Sequence, residues 1–329
     1  MNVKFILQKT NQLLVQQSVV ILFVLLFVLF AITVGDIFIS SINLQNVARQ
    51  ISFDLPVALS MTTVLIAGGL DLSVGSVMSM AAALTMGLQP HGTWFAVLAA
   101  LVFGVAVGAA NGLLVTRGGI VPFIATLGTM TLVHGIMLTY TRQTAIAGHD
   151  ESFTFWGSGS IGPIPVPFII VTIMLIVLHT VYRFTKLGRN LYASGGNPEA
   201  AYLAGINVTR SRFITYLISG FMAAVAGVLL SSMLNSSSPH IGLDTPLWAI
   251  AASIMGGASL LGGKGTAMGT LFGVLSLGIL ANGMNLVGVQ TYFQIGIKAL
   301  ILILVVGLDA VLTQNQRKRL MRTMVRGTE

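Results

Sequence analysis

The chain predicts an all-α polytopic membrane protein of about ten transmembrane helices. Two features of composition and one of pattern predict it. Of the 329 residues 55% are hydrophobic and only 8% are charged, far below the roughly 25% charged content of a soluble domain. The apolar residues gather into runs of spanning length, and the basic residues gather between the runs.

A span needs about 20 mostly apolar residues at ~1.5 Å rise each. That criterion places spans near 18–36, 51–70, 74–89, 93–115, 120–141, 164–184, 212–232, 246–262, 266–284 and 292–312. Val19 to Val34 follows Lys4 and Lys9 as a signal peptide would, but no small-x-small cleavage site succeeds it. It is read as a retained first span. The third, eighth and ninth runs are short and rich in glycine.

An even count puts both termini on one side, and charge selects which. Arg183, Lys186, Arg189, Arg210 and Arg212 surround a central polar island, and Arg317, Lys318, Arg319, Arg322 and Arg326 crowd the C-terminus. Arg117 and Lys264 sit in short loops of the same parity. The positive-inside bias makes this side, and both termini, cytoplasmic. Asp36, Asp54, Asp150, Glu151 and Asp244 fall in or beside the loops assigned to the outside. The longest of these, Gln143 to Val166, carries GSGSIGPIPVP, whose Gly and Pro content predicts irregular backbone.

Within the spans, Gly104, Gly108 and Gly112 fall four apart, as do Gly269 and Gly273. Such stripes predict close helix packing ahead of a thin wall along a substrate path. IAGGLDLSVGS (66–76) echoes IMGGASLLGGK (254–264), and NGLLV (111–115) echoes NGMNLV (282–287). The span count puts the first pair on the same side, so no orientation is assigned to the repeat.

The polar island, Leu187 to Arg212, contains one very short helix by its own signals. Asn197 suits the N-cap, Pro198 the first helical position, Glu199 the positive end of the dipole and Gly205 a left-handed C-cap. A helix of roughly two turns is far below the ~12–15 residues that are marginal in water. It must pack against the rest of the chain or against a partner.

Other motifs exclude more than they assign. GGASLLGGKGT (256–266) misses a Walker loop because Gly265 separates Lys264 from Thr266. ATP binding by this chain itself is therefore not expected, and a tight turn between helices with a positive-inside lysine fits the motif better. With no cysteine, and with His134 and His179 alone in apolar spans, no metal site is predicted. No GxSx serine accompanies a histidine, and Asp71 and Asp309 stand at helix ends, which argues against intramembrane proteolysis. Asp71 fits either an N-cap for a helix starting near Ser73 or a functional intramembrane charge. Lys298 lies in the last span, where it snorkels, pairs or meets substrate. Asn111, Asn282 and Asn285 line a polar path or bond between helices. An ion-coupled secondary transporter would need mid-membrane carboxylates, and Asp71 is the one weak candidate. The net charge of +8 is accounted for by the cytoplasmic loops and tail, so nucleic acid is not implied.

GGLDLSVGS (68–76), FIATLGTM (123–130), GRNLYASGGNPEAAYLAGINV (188–208), GGASLLGGKGTAMGTLFG (256–273), NGMNLVGV (282–289) and QIGIKALILILVV (294–306) resemble, in order and over nearly the full chain, the permease subunits of ribose-type ABC importers. The resemblance implies a single transmembrane permease domain over 1–329, a cytoplasmic loop over 186–212 and a basic tail over 313–329. It implies a bacterial inner-membrane location and a path for a pentose-like sugar, with a branched-chain amino-acid or nucleoside permease as the nearest alternative. The implied partners are two ATPase subunits, a soluble substrate-binding protein outside, and a second copy or homologous permease. It gives Gly195, Gly196, Asn197, Pro198, Glu199, Ala200, Ala201, Leu203, Ala204 and Gly205 the role of coupling helix, docked in a groove of the ATPase. In one place the chain departs from the family. Members commonly carry Glu-Leu-Asp-Ala-Ile-Ala before the GG motif, where this chain has Pro246, Leu247, Trp248, Ala249, Ile250 and Ala251. Trp248 there offers an aromatic face to a sugar ring.

Overall fold

The computed structural model describes residues 3–290 and, beyond them, 292–297, 299–301, 303, 304 and 307, with side chains from Val19 onward. Lys298, Asp309 and the basic tail 313–329 lie outside the described residues. Helix α1 (Val3–Val34) ends at Gly35, and the one-turn α2 (Asp36–Ile39) leads into α3 (Ser41–Ile66). Then follow α4 (Val74–Gly87), α5 (Thr93–Thr116) and α6 (Pro122–Thr141). An outer segment holds β1 (Ile146–Ala147), α7 (Thr154–Ser158), β2 (Ser160–Ile161) and β3 (Ile164–Pro165). Helices α8 (Val166–Phe184), α9 (Lys186–Gly196), α10 (Pro198–Leu203) and α11 (Val208–Leu234) lead to β4 (Ser236–Ser237), α12 (Thr245–Met255) and α13 (Ala267–Leu286).

Five of these, α5, α6, α8, α11 and α13, are long and apolar enough to cross a membrane. Val19–Val34, α4, α12 and Tyr292–Ile301 are apolar but shorter. The second span corrects the sequence reading: α3 starts at Ser41, not at 51. Ser40 sets that start, its Oγ accepting from the Asn43 amide at 3.3 Å. Asn43, Asn46, Arg49 and Asp54 depress the hydropathy of its N-terminal part, and Asp54 lies well inside the helix, more than three turns from its start. The eighth span is also corrected. Helix α12 stops at Met255, and residues 256–266 turn back through glycines at positive φ.

The core is built around α3 and α4. From Ile51 to Ile66 every residue of α3 except Asp54 is buried. Polar side chains join α3 to its neighbours: Thr63 to Tyr182 on α8 at 2.5 Å, Thr62 to Thr270 on α13 at 2.6 Å, and Ser253 of α12 to the Ala58 carbonyl at 3.0 Å. Such interhelical bonds are worth about 0.6 kcal/mol each in a membrane. The glycine stripe of α5 serves packing, as expected. A Cβ on Gly104 would overlap the Gly220 carbonyl, and one on Gly108 the Tyr216 carbonyl, so α5 and α11 touch backbone to backbone. Gly269 and Gly273 face Gly256 and Ala252 of α12 in the same way.

The outer loop is more ordered than its composition predicts. β1 pairs with β4, Ile146 opposite Ser237, and β2 with β3 forms a minimal hairpin. Asp150 caps the turn at 151–153, accepting from the Ser152 amide at 3.0 Å and from Thr93 Oγ1 at 2.6 Å. The Ser152 hydroxyl also donates to it at 2.6 Å, and this bond first, then that from Thr93, holds its carboxyl below the usual carboxylate range. Side-chain caps and the short pairings with β4, which local composition does not reveal, order the backbone.

Candidate functional site

The polar island folds into two helices where its sequence signals gave one. Thr185 caps α9, its Oγ1 accepting from Gly188 N at 3.2 Å. Asn197, extended at φ −152°, then closes α9 and opens α10, its Oδ1 accepting from Ala200 N at 3.0 Å. Pro198 and Glu199 fill the first turn. Gly205 sits at φ 80°, with Gly205 N on Tyr202 O at 2.9 Å and Ile206 N on Ala201 O at 3.0 Å. This is a Schellman ending, and it needs the left-handed glycine. Helix α10 is therefore capped by its own residues at both ends. It buries Ala201 alone, while Tyr202 and Leu203 stand 74% and 81% exposed.

Behind α10 three glycine motifs converge. Gly263 N donates to Ile66 O at 2.9 Å, at the end of α3. A Cβ on Gly195 would overlap that carbonyl and lie 2.8 Å from Gly263 N. A Cβ on Gly262 would come within 2.6 Å of Gly195 O and 2.9 Å of Gly68 Cα. The end of α9, the end of α3 and the turn after α12 thus meet through their backbones. Two side chains bolt the joint: Tyr192 Oη donates to Gly265 O at 2.6 Å, and Arg212 Nε to Ala67 O at 3.1 Å. Burial pushes the Tyr192 phenol up, which keeps it a donor. All three motifs stand out in the sequence, but nothing local marks that they touch.

The echo between 66–76 and 254–264 is now explained locally. Gly68 and Gly257 are both left-handed, at φ 77° and 90°. Gly69 N bonds Val64 O, and Ala258 N bonds Ser253 O, each at 2.9 Å. The same Schellman ending closes α3 and α12 on one side of the molecule.

From Ala67 to Ser73 the chain is not helical, and this break is enclosed by protein. Non-helical backbone at membrane depth is tolerated only under such cover. Asp71, 1% exposed, organises it. Its Oδ1 accepts from Ser73 N at 2.9 Å and Ser73 Oγ at 2.6 Å, and its Oδ2 from Ser219 Oγ of α11 at 2.7 Å. Asn111 of α5 bonds Ser73 Oγ at 2.8 Å and approaches Asp71 Oδ1 at 3.5 Å. Asp71 thus turns the chain two residues ahead of α4, whose N-cap is Ser73 and not Asp71, and also ties the break to α5 and α11.

The remaining path candidates are dispersed. Asn282 exchanges amide hydrogen bonds with Asn43, at 2.8 and 3.1 Å, joining α13 to α3. Asn285 accepts from Gln294 Nε2 at 2.7 Å. Trp248 lies in α12, half-buried beside the core. Among the described residues no cluster of three His, Cys, Asp or Glu could hold a metal ion.

A second surface belongs to α6. Gly128 and Gly135 have open space where a Cβ would stand, and with Ile124, Leu127, Thr131 and Tyr140 they line a shallow groove of about 1160 Å³.

Residues 43–306 match the family described as branched-chain amino acid transport system / permease component. Among curated relatives, the ribose import permease protein RbsC of Bacillus subtilis (strain 168) is 39% identical, over 83% of this chain and 86% of its own length. That of Escherichia coli (strain K12) is 38% identical, over 90% and 94%. The D-allose transport system permease protein AlsC of Escherichia coli (strain K12) is 33% identical, over 85% and 86%. No solved structure matches the chain. A helical, membrane-spanning chain with a short self-capped helix seated on a joint of buried helix ends is matched along most of its length, and it belongs to the permease-component family of branched-chain amino acid transport systems, a transport component and not an enzyme.

Proposed function

We propose that this chain is the membrane-spanning permease subunit of an ATP-binding cassette importer in the bacterial inner membrane, and that it forms the path for a ribose-like sugar. The observation that carries this is α10: a helix of six residues, fixed at both ends, that presents Tyr202 and Leu203 to a partner. The partner is an ATPase subunit that holds ATP and magnesium. Ten membrane segments place both termini beside it in the cytoplasm. A soluble binding protein delivers substrate outside, and a second permease copy covers the α6 groove. The names of the ribose, allose, galactose and arabinose relatives support a sugar over a branched-chain amino acid.

Closure of the ATPases moves α10, and the glycine joint passes that movement to the ends of α3 and α12. Nucleotide shifts the outward-open and inward-open populations only by its differential affinity for them. Tyr202→Ala with Leu203→Asp tests the reading, because both side chains are exposed and the fold does not need them. The double variant is expected to inserts normally, lose the co-purifying ATPase and lose ATP-driven uptake. Retention of both would refute the coupling role, and uptake by the single chain under an ion gradient would refute the class.

A further inference from the structure

We infer that a pocket between α3, α4, α11 and the start of α12 is a monosaccharide subsite in the outer half of each permease chain. The inference rests on the sugar-importer reading and adds a place and a chemistry to it. The pocket encloses about 430 Å³, within the ~300–1,000 Å³ usual for small-molecule sites. Asp54 stands twelve residues before the cytoplasmic end of α3 at Ile66, about 18 Å along the helix at ~1.5 Å per residue. That depth puts the pocket beyond the middle of the membrane, toward the outside.

One wall is polar. Asn46, Arg49, Gln50 and Asp54 fall at spacings of three, one and four along α3 and face the cavity together, with Thr245 opposite on α12. The other wall is apolar, from Met78 of α4 and Leu230 and Met233 of α11. A monosaccharide has the matching duality. Its hydroxyls each donate and accept, which suits a carboxylate, two amides and a guanidinium side by side, while its C–H face suits a thioether and aliphatic surface.

Arg49 supplies the second, independent observation. Its Nη1 donates to Asn46 Oδ1 at 3.2 Å and its Nη2 to Ser160 Oγ of β2 at 3.1 Å, but its Nε is buried with no hydrogen-bond partner. The two Nη bonds fix the guanidinium at the pocket wall. Gly242, left-handed at φ 81°, lets the segment before α12 dip against Gly75 of α4 and close the pocket floor. The outer loop reaches the same place through Ser160, so the pocket lies under the surface that a binding protein would meet.

The chain has no cysteine, which makes single-cysteine protection clean. Thr245→Cys, in the intact transporter purified with its co-purifying subunits, is labelled with a membrane-impermeant maleimide, with D-ribose added or withheld. Glu151→Cys, on the outer loop, is the control. Ribose is expected to slow labelling of Thr245→Cys about tenfold and to leave Glu151→Cys unchanged. In reconstituted vesicles Asp54→Asn and Arg49→Met are each expected to lower radiolabelled ribose uptake about tenfold and to remove the protection. Unaltered labelling of Glu151→Cys in those backgrounds reports an intact fold. Gln50→Leu, which removes no charge, serves where either variant fails to insert, with the same expected loss. Ribose uptake by the parent chain without protection at Thr245→Cys, or uptake within about twofold in the folded variants, overturns the subsite and leaves the importer reading standing. Absence of ribose uptake by the parent complex overturns the ribose reading and the subsite with it.

Discussion

Gly195→Ala puts the glycine joint to the test with a single methyl group. The new Cβ would overlap Ile66 O and stand 2.8 Å from Gly263 N, so α9 must withdraw from the end of α3 or the turn after α12 must lift. Overpacking of this kind costs about 1–3 kcal/mol. Loss of the 2.9 Å bond from Gly263 N to Ile66 O adds about 0.5–1.5 kcal/mol, for a total near 2–4 kcal/mol. Gly196→Ala is the internal control. Its Cβ would meet nothing nearer than Gly263 Cα at 3.9 Å, and its φ is not left-handed. At a helical position that change gains up to about 1 kcal/mol in propensity. Thermal unfolding of both variants in detergent, followed by ATP-driven uptake in vesicles, reads the difference. Gly195→Ala is expected to melt earlier and to uncouple ATP hydrolysis from uptake, whereas Gly196→Ala retains both. Equal behaviour of the two variants would refute the joint as the connection between α10 and the spans.

Ser219→Ala removes the donor to Asp71 Oδ2 and is expected to lower stability by about 1–3 kcal/mol, read by the same melt. Gly108→Ala drives a methyl into the Tyr216 carbonyl and is expected to cost about 1–3 kcal/mol; Gly128→Phe enters open space, so it should spare the monomer's melt and abolish pairing in crosslinking of native membranes. Asp150 has a depressed pKa in the folded loop, so its contribution is complete above the ordinary carboxylate value of roughly 4 and fades as pH falls through the lower folded value. Thr93→Val removes one of its donors, and limited proteolysis of the outer loop is expected to set in at higher pH than in the parent chain.

Much of the architecture was legible because caps and hydropathy are local. Asn197, Pro198 and Gly205 delimit α10 in the sequence as they do in the structure, since each acts within its own turn. The start of α3 was not legible: Arg49 and Asp54 lower its hydropathy, and the polar cavity that makes room for them is formed by residues nearly 200 positions away at Gly242 and Thr245. For the same reason Asp54 read as lying at the outer edge of a span that began at 51, beside a loop. Helix α9 escaped because its glycines, Gly188, Gly195 and Gly196, look like linker until the backbones they approach are known. Of the polar path candidates, Asp71 and Asn111 come together through Ser73, whose hydroxyl donates to Asp71 and accepts from Asn111. The pairing of Asn282 with Asn43 spans 239 positions and has no local trace.

The joint beneath α10 is made almost wholly of main chain: carbonyls, amides and glycine Cα atoms of the three segments. Main chain is chemically the same whatever cargo a transporter carries. A gear built from it imposes no demand on the side chains that select the cargo, and those side chains impose none on the gear. Under the proposed coupling, the walls of the path can therefore be re-cut for a different solute by substitutions along the spans while this joint is left untouched.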